Sequence, residues 1–160
     1  MARKSRKKYQ VGSVIAIPLP DGRFGYAKAF NEPDWGVYDL ISDKVLPVDS
    51  VIGHPFSFFQ ASTDAAVNDG SWPVLGEERF ANEEDAWAPA QATMYVGETN
   101  EWTMGGIPRV NYQGETMIAT LDDVIGMDIA SVCHRPDLLV KLIIDRVIKG
   151  NHDQYRVRSS

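Results

Sequence analysis

The sequence predicts an α+β domain that is mainly β: a strongly bent antiparallel sheet or small barrel with a C-terminal helix packed against it. Three observations carry that expectation. Short apolar runs follow one another closely from Val11, each closed by turn residues such as Pro20-Asp21-Gly22 and Ser42-Asp43-Lys44. The stretch "RFGYAKAF" (23–30) alternates with period two, Phe24, Tyr26, Lys28 and Phe30 on one face and Arg23, Gly25, Ala27 and Ala29 on the other. The stretch "PDLLVKLIIDRVIKG" (136–150) carries a wide apolar helical face.

In chain order, "RKSRKK" (3–8) has no apolar residue and reads as a mobile arm. "VIAIPL" is a short buried strand with Pro18 at an edge or bulge. "PDG" turns into 23–30, whose small face lets another layer approach closely and whose aromatic face belongs to the core. The loop "NEPDW" (31–35) leads to a third strand, "GVYDLIS" (36–42), and "VLPVDSVIGHP" is short and irregular. "FSFFQA" (56–61) is a further strand. "STDAAVNDG" (62–70) forms a helical turn capped by Ser62 or Thr63 and stopped by Gly70. "SWPVLG" is a brief extended piece in which Trp72 serves as packing. The polar region 77–106 holds loops and a short strand near 92–97, and "RVNYQGETMIAT" (109–120) is a hairpin turning at Gln113-Gly114. In the last helix Pro136 and Asp137 suit the N-terminal end, Arg146 and Lys149 suit the other end of the dipole, and Gly150 stops it. The expected organisation is a flexible basic arm over 1–10, one domain over 11–150 and a C-terminal tail over 151–160.

Bulk properties narrow the function classes. The single cysteine, Cys133, excludes an intrachain disulfide and a cysteine-rich zinc site, and reads as a small buried hydrophobe. The apolar part of the basic start, Val14 to Leu19, is six residues long and broken by Pro18. Secretory signals need roughly 7–15 apolar residues and membrane spans about 20, so neither is expected and a cytoplasmic location is the default. Charge is uneven: residues 1–8 carry +5, whereas 64–128 carry −11 with only Arg79 and Arg109 as bases. An acidic middle repels nucleic acid and favours a basic partner.

Catalytic patterns are absent. His54, His134 and His152 lack metal-ligand spacing, and His134 beside Cys133 is poorly placed to act as its base. No glycine-rich phosphate loop follows a strand. The acid runs Glu77-Glu78, Glu83-Glu84-Asp85 and Asp122-Asp123 lie in polar sequence, where neighbouring carboxylates all ionise instead of splitting into acid and base. The chain is expected to be no enzyme, with no cofactor, metal or small-molecule substrate.

Three stretches carry a resemblance. "VGSVIAIPLPDGRFGYAKAF", "GVYDLISD" and "DGSWPVLG" resemble, in order and spacing, the immunity protein 26 family of bacterial polymorphic toxin systems, over residues 11–76. That resemblance implies a non-catalytic antidote that binds and neutralises a cognate toxin, for which a basic nuclease domain is the natural match. On that reading Glu77, Glu78, Glu83, Glu84 and Asp85 form the electrostatic part of a binding face. Trp87 and Trp102 are aromatic anchors, and Trp35, read as part of a polar loop, is a further contact. The alternative is a nucleic-acid-associated β-barrel module using the arm at 3–8 for phosphate contact, which the acidic middle disfavours. An unrecognised enzyme would need a pocket gathering some of Asp39, His54, Cys133 and His134.

Overall fold

The computed structural model of the chain describes residues 8–32, 34–95 and 107–158. Strands β1 (Ser13–Pro18), β2 (Phe24–Ala29), β3 (Asp34–Tyr38) and β4 (Phe56–Ser62) form a meander, each antiparallel to the next. Strand β5 (Val74–Glu77) returns to the outside of β1. Strands β6 (Gln91–Tyr95), β7 (Ile107–Tyr112) and β8 (Glu115–Ile118) make a separate antiparallel sheet. A two-residue strand, β9 (Val132–Cys133), then lies parallel to β4. The large sheet runs β5-β1-β2-β3-β4-β9 and the small one β6-β7-β8.

The mainly β fold with a C-terminal helix agrees with the sequence reading, with two corrections. The sheet is bent but stays open, so the small-barrel alternative falls. β9 is too short to extend the curve, and β5 reaches β1 only across a register shift at Val14/Ile15. The sheet is also mixed, because β9 runs parallel to β4.

Helical turns α1 (Val48–Val51), α2 (Ala65–Asn68) and α3 (Leu121–Val124) precede the C-terminal helix α4 (Pro136–Ile143). The period-two pattern of β2 distributes its side chains between two packed layers. Ala27 and Ala29, with Ile15, Ile17, Trp35, Val37 and Phe58, face α4, whose Leu139 and Ile143 are fully buried. A Cβ at Gly25 would lie 3.1 Å from Ile143, so the small face admits the helix closely. Tyr26 packs on the other face with Val14, Ala16 and Tyr38, against Val51 of α1. Trp72 is 4% exposed and belongs to the helix-side core. The turn before α2 has Asp64 in the cap position, with Thr63 Oγ1 accepting from the Ala65 amide at 3.2 Å.

The expected continuous helix over 136–150 changes character. At Ile144 it widens into a π turn (Ile144–Ile148), in which the Lys149 amide donates to the Ile144 carbonyl at 3.0 Å. Arg146, expected to suit the C-terminal end of the dipole, is 3% exposed. Its guanidinium donates to both Asp128 oxygens at 3.1 and 3.2 Å and to His152 Nδ1 at 3.2 Å. The rings of Phe58 and Tyr155 lie 4.6 and 5.0 Å from its Cζ. This cluster ties α4 to the small sheet, since the Asp128 carbonyl also accepts from the Ala92 amide at 2.9 Å.

Residues near both ends of the described chain pack against the domain. The Tyr9 ring packs 5.2 Å from Trp35, tilted by 43°, and its hydroxyl donates to Asp64 at 2.8 Å. Val157 is buried with Ala92 and Val124. Residues 1–7, which hold most of the basic arm, lie outside the described residues. Among the described residues no helix is long and apolar enough to cross a membrane.

Candidate functional site

The acidic run after β5 crosses the ends of the large sheet. The Glu78 amide donates to the Gly12 carbonyl ahead of β1 at 2.9 Å, Phe80 lies 4.8 Å from Phe30, and the Asn31 amide donates to the Ala86 carbonyl at 2.9 Å. The chain is thus pinned at three points along its path, leaving the residues between them free to point outward.

The five acids named from sequence divide into two groups. Glu78 is committed to the fold: its Oε1 lies 2.9 Å from Nζ of Lys28, whose side chain is only 5% exposed. Phe80 covers the same ammonium at 4.0 Å from its ring centroid. Isolated burial of that charge would be costly, so Glu78 and the ring together make the site tolerable. Glu77 accepts hydrogen bonds from Arg79 and Gln10, which hold its carboxyl below the usual carboxylate range. Glu83, Glu84 and Asp85 stand exposed around a 3-10 turn (Glu84–Ala86), and none of the three joins an ion pair among the described residues.

Beside that turn lies a cleft of about 450 Å³ between the large sheet and the β7–β8 hairpin. Its lining includes Glu32, Asp34, Trp87, Tyr112 and Glu115, and no lysine or arginine. The hairpin turn meets the 31–34 loop directly. Gln113 and Gly114 both take positive φ, which favours glycine at 114, and a Cβ there would lie 2.5 Å from Oε1 of Glu32, so the two loops touch. Glu32 itself has φ +96°, an uncommon backbone state for a residue with a side chain. Burial, and then the neighbouring Glu32 charge, push the Asp34 carboxyl up to about 6. Among the described residues that line the cleft no base faces it.

The aromatic candidates fare differently. Trp87 is half-buried and lines the cleft, so it is placed to make a contact. Trp102 lies outside the described residues. Trp35 is corrected: it belongs to β3, not to a loop, and is 0% exposed beneath α4 and Tyr9. The polar residues before it suggest a loop, yet Asp34 already pairs with Ala61 of β4.

Of the residues weighed for an enzyme, Cys133 and His54 lie apart. Cys133 lies beside Ser62 at one end of β4, while His54 precedes its other end. Burial, with Asp137 nearby, pushes the Cys133 thiol up to about 11, away from the reactive thiolate. Among the described residues no group of three or more His, Cys, Asp or Glu could hold a metal ion.

Sequence reading missed Glu32, Asp34, Tyr112 and Glu115. Only the turn signals at 31–35 and 113–114 pointed toward them, and neither says that the two loops touch.

Fold and site together define a small α+β domain with a cleft lined by Glu32, Asp34 and Glu115 beside the 84–86 turn. Residues 10–99 match the family model for immunity protein 26, more than half of the chain, and the chain belongs to the immunity protein 26 family. No curated protein and no solved structure matches it. The match contains the meander, β5 and the acidic run; the β7–β8 hairpin, α3 and α4 lie beyond it.

Proposed function

We propose that this chain neutralises a cognate bacterial toxin domain by binding it, without turnover, and that Glu83, Glu84, Asp85 and the adjoining acidic cleft face a basic surface of that toxin. Family membership supplies the class of function. The observation that carries the choice of face is the exposed, unpaired state of Glu83, Glu84 and Asp85 beside a cleft that holds carboxylates and no base. A nuclease domain fits such a surface, because it must attract phosphate and therefore presents lysine and arginine near its active site. Opposite fields raise the encounter rate, and an inhibitor seated there excludes the nucleic acid. Trp87, half-buried at the cleft, supplies an aromatic anchor within the charged surround. The protein would act in the cytoplasm, where the toxin's target lies, with no cofactor and no membrane or nucleic-acid partner.

The test is association kinetics with the toxin domain encoded beside this chain, across rising salt. Reversing Glu83, Glu84 and Asp85 to lysine should slow association about tenfold or more at low salt and flatten the salt dependence. Equal rates for wild type and variant would remove this face. Glu78 must stay unaltered in the experiment, because its loss would unbalance Lys28 and confound binding with folding.

A further inference from the structure

β8 is an open strand edge among the described residues, as is the outer side of the equally short β5. The opposite edge of its sheet, β6, is bridged by Ile129, with the Ala130 amide donating to the Ala92 carbonyl at 2.8 Å. In the large sheet, β9 is only two residues long and β5 ends in the Glu77–Arg79 pair. β8 pairs with β7 alone, and all four of its residues are exposed.

The register fixes which backbone groups the edge offers. The Ala119 amide donates to the Pro108 carbonyl at 3.0 Å. Bonded and non-bonded pairs alternate along an antiparallel ladder. Because Ile118 lies opposite Arg109 and Thr116 opposite Asn111, these two residues turn their N–H and C=O groups away from β7.

Open edges are ordinarily blunted by charge, proline or a bulge. Here the end of the strand presents Met117 on one face and Ile118 on the other, 53% and 77% exposed, and the chain beyond it exposes Leu121 and Ile125 at 47% and 40%. Among the charges around them Glu115, Asp122 and Asp123 outnumber Arg109, which lies opposite Ile118. A second copy would bring the same acids against these. The patch fits an extended segment with apolar side chains flanked by bases.

We propose that β8 accepts a strand of the toxin domain, hydrogen-bonded to the backbone of Thr116 and Ile118. Its apolar side chains lie along Met117, Ile118, Leu121 and Ile125, and its flanking lysines or arginines face Glu115, Asp122 and Asp123. This rests on the toxin-binding reading and extends it: the acidic face steers the encounter, and β8 anchors the complex.

The experiment titrates the inactivated toxin domain encoded beside this chain against wild type, Ile118→Lys and Ile118→Pro. The proline removes an N–H that faces away from β7, so the internal ladder is spared. Each variant should weaken affinity about 30-fold or more with its thermal midpoint unchanged. Hydrogen exchange at the Thr116 and Ile118 amides should slow in the wild-type complex, a readout that needs no substitution. Unslowed exchange there overturns strand addition even if a variant fails to fold. Unchanged affinity in both variants overturns it as well, while leaving the toxin-binding reading intact; absence of wild-type binding overturns both. Self-association abolished by Ile118→Lys would assign the edge to a second copy and overturn the proposal.

Discussion

The two sheets use similar residues to opposite ends. In the six-stranded sheet both faces are covered, and β1, β2 and β3 are buried along nearly their whole length. In the three-stranded sheet the fully packed residues are Ala92, with Val124 and Val157 beneath it, while Met117 and Ile118 stand in solvent. Apolar composition alone does not distinguish these regions; the presence of a covering layer does. The large sheet has α4 on one side and α1 on the other, so its apolar residues hold the fold. The outer strand of the small sheet has no such cover, and its apolar residues are free for another task.

The largest effect expected to separate the regions is on stability. Leu139→Ala removes a fully buried side chain from the α4 layer and should cost about 2–5 kcal/mol by denaturant unfolding. Ile118→Ala, at 77% exposure, should change stability by no more than about 0.5 kcal/mol. Comparable losses at both positions would mean that the small sheet is part of the stabilising core after all.

A smaller contrast divides the acids themselves. Glu78→Ala strands the Lys28 ammonium in a 5% exposed position and should destabilise by about 1–3 kcal/mol, eased by the half-open Glu78 side. Glu84→Ala should fall within about 0.5 kcal/mol, because the side chain is exposed and unpaired. Equal effects would erase the distinction between an acid that serves the fold and one available to a partner.

How much of this was legible in sequence follows the same division. The meander reads well because short apolar runs sit between clear turns, with period-two alternation at 23–30, and the Gln113-Gly114 hairpin reads from its turn chemistry. Trp35 was misplaced because Glu32 and Asp34 look like loop residues, although β3 begins at Asp34. Arg146 lies seven residues after Leu139, on the same helical face, so its burial was open to the spacing, whereas its partners Asp128 and His152 come from other parts of the chain. The acidic run was visible because it is contiguous. The cleft beside it was not, since Glu32, Trp87 and Glu115 come together only when the 31–34 loop meets the hairpin turn. The open edge of β8 was hidden for another reason: methionine and isoleucine in a strand read as buried until the covering layer is known.

The finest test concerns how dry that cleft is. The Asp34 carboxyl, pushed up to about 6 by burial and then by Glu32, binds its proton more tightly in the fold than at its ordinary value of 3.8. Its contribution to stability is therefore fully present below the ordinary value and is lost as pH rises through about 6. Asp34→Asn cannot ionise, so the variant should gain on wild type across that window and hold a constant difference above it. His152 acts in the opposite sense: burial, then Arg146 and Arg156, hold it below its ordinary value of 6.5, so its contribution fades as pH falls. Wild type alone mixes the two, whereas the difference between wild type and Asp34→Asn isolates the carboxylate. A flat difference in denaturant unfolding across the window would show that water reaches Asp34 freely. A sloped one would mean that a basic side chain entering the cleft relieves a charge the fold leaves unpaired, and toxin binding near pH 6 should then release protons from wild type but not from Asp34→Asn, as read by calorimetry in buffers of different ionisation heat.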